Sequence, residues 1–95
     1  MFISKRSINY DQGAGVLMPI AFVLLNSEMG SEGEVLKALK EVEGVKEAYS
    51  VYGVYDIIAK INVDSIDRLK EIITWRIRRL NNVRSTLTMI VIEQI

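Results

Sequence analysis

"VKEAYSVYGVYDIIAKINV", residues 45–63, decides the fold. Its first part alternates, with Val45, Glu47, Tyr49 and Val51 against Lys46, Ala48, Ser50 and Tyr52. From Tyr55 onward it alternates again, with Tyr55, Ile57, Ala59, Ile61 and Val63 against Asp56, Ile58, Lys60 and Asn62. A period of two is the mark of a strand. Gly53 and Val54 between the two runs read as the turn of a β-hairpin. Asp56 stands at the mouth of the second, apolar strand, where a carboxylate is costly unless something pairs with it. Its partner is the question the hairpin raises.

Outward from the hairpin, strand and helix patterns repeat. Residues 20–26 (IAFVLLN) are apolar at both parities, as in a strand buried on two faces. Ser31 and Glu34 fit a capping box, Val35, Leu36, Leu39 and Val42 form a helical stripe, and Gly44 is placed to end that helix. After the hairpin, Asp64 or Ser65 caps a second helix that runs to about Leu80. Its core stripe is Ile66, Leu69, Ile73, Ile77 and Leu80, with Ile72 and Trp75 on the flank. Asn81 and Asn82 supply a C-terminal cap, and residues 83–95 (VRSTLTMIVIEQI) read as a last strand. Residues 1–19 are a separate block, read either as a frayed arm or as a short extra strand; residues 20–95 form the domain.

The order β-α-β-β-α-β is the ferredoxin-like split unit, an α+β fold. Right-handed crossovers place both helices on one face of a four-stranded antiparallel sheet. The other face is then open, yet the first strand is apolar at both parities, and Leu87, Met89 and Val91 alternate with Thr88, Ile90 and Ile92 in the last. An apolar sheet face is normally covered by a partner. The expectation is a homodimer packed sheet against sheet, a dimeric α/β barrel.

Composition narrows the function. The 95 residues carry 12 Lys plus Arg against 12 Asp plus Glu, a zero formal charge that argues against direct DNA or RNA binding. The four arginines Arg76, Arg78, Arg79 and Arg84 read first as a solvated surface. With no Cys there are no disulfides, thiolate nucleophiles or soft-metal sites, in keeping with a cytoplasmic protein. With no His, acid–base and metal chemistry lose their commonest residue. No cofactor is expected. No apolar run approaches the roughly 20 residues of a membrane span. Three polar groups remain: residues 52–56 (YGVYD), residues 84–88 (RSTLT) and residues 26–33 (NSEMGSEG). Together they suit a small zwitterion, whose ammonium wants a carboxylate and whose carboxylate wants hydroxyls and backbone N–H groups. Each also has a structural use in a turn or strand, and Asp56 has an internal alternative in Arg84.

Residues 20–93 resemble the effector domain of the Lrp/AsnC transcription regulators, the RAM or AsnC ligand-binding domain. The hairpin matches its G-x-Y/F-D motif, and "VRSTLTMIVI" matches its R-S/T-x-T strand. The resemblance implies a non-enzymatic module that binds a free amino acid or related metabolite between subunits. It implies a homodimer, an octamer or another ring. By the same resemblance Tyr52, Gly53, Tyr55 and Asp56 contact the effector from the hairpin. Ser85, Thr86 and Thr88 face it from the last strand, and Met29 and Gly30 approach it from a turn. The family's helix-turn-helix has no counterpart here, so the chain resembles a stand-alone effector domain that co-assembles with full-length Lrp/AsnC regulators. A ligand-free dimerisation module and a dimeric-barrel enzyme are the alternatives.

Overall fold

The computed structural model describes residues 18–92. Of the expected arm only Met18 and Pro19 fall within them, and residues 93–95 of the expected last strand lie outside. The elements are β1 (Ile20–Ser27), α1 (Glu32–Lys40), β2 (Val45–Ser50), β3 (Ile57–Asn62), α2 (Ile66–Ile72) and β4 (Val83–Ile90). They follow the β-α-β-β-α-β order in a four-stranded sheet arranged β2-β3-β1-β4, with every neighbouring pair antiparallel. β1 and β3 are therefore central, as their apolar runs require. Among the described residues no helix is long and apolar enough to cross a membrane.

Parity sorts the side chains. On one face of β1, Ala21, Val23 and Leu25 are fully buried. Ile57, Ala59 and Ile61 of β3 lie beside them, Val35, Leu39, Leu69, Ile72, Ile73 and Ile77 pack on from the helical segments, and Val42 and Val63 complete the core from the connections. Full burial of each larger aliphatic side chain contributes about 1.5–3 kcal/mol. On the opposite face, cross-strand pairs Phe22–Met89 and Leu24–Leu87 run along β1 and β4. Leu87 and Met89 are 45% and 48% exposed, so this second apolar stripe is open. Toward β2 the same face turns polar. The Tyr49 hydroxyl donates to Glu47 Oε1 at 2.6 Å, and Lys60 Nζ lies 3.7 Å from Glu47 Oε2. The hydrogen bond to Glu47, then that carboxylate's charge, holds the Tyr49 phenol above its ordinary pKa.

Several local expectations change. The connection between β2 and β3 is not a two-residue turn at Gly53 and Val54. The ladder stops at Ser50 and Ile57, and Val51 N–H donates to Asp56 O at 2.7 Å to close a longer loop. The capping box does not form: the Ser31 side chain makes no cap hydrogen bond, and Glu34 Oε1 instead accepts from Asn82 Nδ2 at 3.1 Å, tying α1 to the start of β4. Ser65 does cap α2, accepting from Arg68 N–H at 3.1 Å. α2 then widens into a π-helical turn, Ile73–Ile77, closed by Arg78 N–H donating to Ile73 O at 3.0 Å. This five-residue step shifts the phase of the face that follows. Ile72, expected on the flank, is fully buried beside Ile73, while Ile66 is 42% exposed. Trp75 points outward with the Arg79 guanidinium 4.6 Å from its ring centroid, a cation–π pair.

Gly44 shows how tightly the core is closed. It has φ +92°, and a Cβ there would lie 2.7 Å from Val63 Cγ1. Both strain and overlap penalise any side chain. Gly44→Ala is expected to destabilise the fold by about 2–3 kcal/mol in urea unfolding. Gly33→Ala, in the first turn of α1 with nothing within 4 Å, is expected to stabilise it by about 0.5 kcal/mol.

Candidate functional site

The C-terminal end of β1, the β2–β3 loop, the turn into α1 and the start of β4 meet at one end of the sheet. Their backbone is irregular there for a definable reason. Asn26 pairs with Ser85, but Ser27 pairs with Val83, so Arg84 is an extra residue on β4 with no partner on β1. A bulge of this kind leaves one residue unpaired and re-aims side chains. The Ser27 N–H donates to Asp56 Oδ2 at 3.0 Å, and the Ser27 hydroxyl donates to the same oxygen at 3.3 Å. Ser27 is 4% exposed, the buried polar side chain of the described core. Asp56 is itself fixed through its backbone, donating to Leu25 O at 3.0 Å and accepting from Val51 N–H.

The partner of Asp56 is therefore Ser27, not Arg84, and no ion pair joins Asp56 to Arg84 among the described residues. The physical cause is position. Asp56 is one residue before β3 and faces β1, whereas the bulge turns Arg84 away from the ladder.

These groups line an open cleft of about 480 Å³, within the range of small-molecule sites. Asp56 and Glu32 bring carboxylates and Arg84 a guanidinium. Asn26 and Ser85 also line it, joined by Asn26 Nδ2 donating to Ser85 Oγ at 3.3 Å. Met29 and Val54 add apolar edges and are 96% and 87% exposed. Of the residues singled out in the sequence, Asp56, Ser85 and Met29 come together here. Tyr52 and Gly53 are exposed and Tyr55 half-buried; none of the three lines the cleft. Thr86 and Thr88 pair with Leu25 and Val23, which puts them on the helix-covered face, away from Ser85. Gly30 does not line the cleft but shapes its rim. With φ +81° it sits in the turn closed by Ser31 N–H donating to Glu28 O at 2.9 Å, and so presents Met29. Asn26, Ser27, Glu32, Val54 and Arg84 were not singled out as site residues. All five nevertheless fall in the three polar stretches 26–33, 52–56 and 84–88, which are the available signal; the bulge that leaves Arg84 unpaired on β4 is what the sequence does not show. No group of three or more Asp or Glu able to hold a metal occurs among the described residues.

The class these features define is a ferredoxin-like α+β domain with a charged, half-apolar cleft at its strand ends. The chain belongs to the Lrp/AsnC ligand-binding domain family, whose model matches residues 20–95. It is similar to the regulatory protein AsnC of Escherichia coli, 29% identical over 91 residues, covering 96% of this chain and 56% of that one. The chain thus spans just over half the length of that curated relative. Among solved structures it resembles the Pyrococcus horikoshii protein PHS023, with 42% identity and TM-score 0.75 over 81% of this chain and 93% of that one. It also resembles the feast or famine regulatory protein of Mycobacterium tuberculosis complexed with L-methionine, with 27% identity and TM-score 0.65 over 86% of this chain and 54% of that one.

The Asp56–Ser27 contact makes a stability prediction. Asp56→Ala leaves a buried amide and hydroxyl unpaired and is expected to cost about 2–3 kcal/mol in urea unfolding. Ser27→Ala removes one of the two hydrogen bonds and is expected to cost about 1 kcal/mol. Equal effects would contradict the assigned donor roles.

Proposed function

We propose that the chain is a non-enzymatic sensing module that binds a free amino acid in the cleft between Asp56 and Arg84. The observation that carries this reading is the placement of opposite charges. Ser27 holds one oxygen of Asp56, leaving Oδ1 for a ligand ammonium, while the bulge presents Arg84 for a ligand carboxylate. Membership of a ligand-binding regulatory family and the L-methionine in the M. tuberculosis protein support it. Tyr52, Gly53 and Tyr55 contribute from a neighbouring subunit in this reading, which accounts for Tyr52 standing fully exposed beside the cleft.

The apolar stripe of β1 and β4 covers itself by pairing two chains sheet against sheet. Ligand binding between subunits then favours the larger assembly, because occupancy and association are linked. Co-assembly with longer members of the family follows from the same stripe. A second reading, a ligand-free interaction module, draws on the exposed Met29, Tyr52 and Val54 at the cleft's rim, which serve as well to seat a protein as to enclose a metabolite.

Isothermal titration with the common amino acids separates the two. Heat with at least one of them is expected; Asp56→Asn, which keeps an acceptor for Ser27, is expected to weaken it about tenfold. No heat with any of them would leave the interaction module. For the dimer, Leu87→Glu is expected to convert a species of twice the chain mass into monomer in sedimentation velocity, since it buries a charge in an apolar contact.

A further inference from the structure

Resting on the amino-acid reading of the cleft, we propose that the ligand it selects is an amino acid with a cationic side chain. The cleft's charges do not balance for a neutral zwitterion. Arg84 and Asp56 match the α-carboxylate and α-ammonium, and Glu32 is left over. Among the described residues the Glu32 side chain takes part in no hydrogen bond or ion pair, unlike that of Glu34 two residues on, which accepts from Asn82. As the first residue of α1, Glu32 also complements the helix dipole. That role fixes where the carboxylate stands without consuming its outward oxygens.

The shape of the cleft agrees with the charge. Met29 and Val54 expose apolar side chains at the same cleft. A side chain with a methylene stem and a terminal ammonium lays its stem on such groups and puts its charge on a carboxylate. A neutral aliphatic ligand gains the stem contact and leaves Glu32 unmatched. An acidic ligand sets a second negative charge against it. The order of affinity is therefore lysine, then the uncharged analogue norleucine, then glutamate. A half-exposed ion pair sets the size of the preference at about fivefold, falling toward one in about 1 M salt as the charges are screened.

The test is competition titration of the intact protein with lysine, norleucine and glutamate, repeated on Glu32→Gln and Glu32→Lys. Lysine is expected to bind about fivefold tighter than norleucine, Glu32→Gln to bring that ratio near one, and Glu32→Lys to invert it. Norleucine binding as well as lysine would overturn the inference and leave the amino-acid reading standing. A lysine preference that survives both substitutions would overturn the role of Glu32. Absence of binding by all three and by every other amino acid would overturn the reading of the cleft itself, and this inference with it.

Discussion

The functional end of the molecule depends on the carboxylate of Asp56 receiving two hydrogen bonds from Ser27. Ser27 is buried where β1 runs past the last pair of its ladder with β3, Leu25–Ile57, and its amide finds Asp56 in place of a strand partner. Asp56 supplies the acceptor, and the desolvation of both groups is offset by a charge-assisted pair. On the other side of Ser27, the bulge against β4 leaves Arg84 without a partner on β1. The two irregularities meet at Ser27, and its two hydrogen bonds explain how a strand tolerates a carboxylate at its mouth.

A second constraint comes from the sheet's two faces. The helices cover Ala21, Val23 and Leu25, but on the reverse Leu87 and Met89 stand exposed and Phe22 and Leu24 only half-buried among the described residues. A stripe of this kind is unstable in water unless another surface meets it.

Most of the fold is legible in the sequence because it is written in periodicity. The alternation on both sides of Gly53, the two-sided apolar run of β1 and the stripe of α1 lead directly to the observed order. Features set by single hydrogen bonds are not legible. The π-helical turn after α2 depends on one amide, that of Arg78, choosing a carbonyl five residues back. The loop after β2 outgrows a tight turn because Val51 bonds to Asp56. Glu34 reaches Asn82 across the fold rather than capping its own helix. The candidate site divides the same way: Asp56, Ser85, Met29 and Arg84 lie in stretches that stand out by type and neighbourhood, while the bulge that leaves Arg84 unpaired is not visible there, and Thr86 and Thr88 turn to the other face because strand parity outranks motif.

Amide chemical-shift mapping during titration with an amino acid locates the ligand on the fold. The shifts are expected to concentrate at Asn26, Ser27, Met29, Val54, Asp56, Arg84 and Ser85, with the Ser27 amide moving as its acceptor takes on a second partner. Saturable shifts confined to the outer face of α2, or to Thr86 and Thr88 with Ser27 unmoved, would contradict that placement.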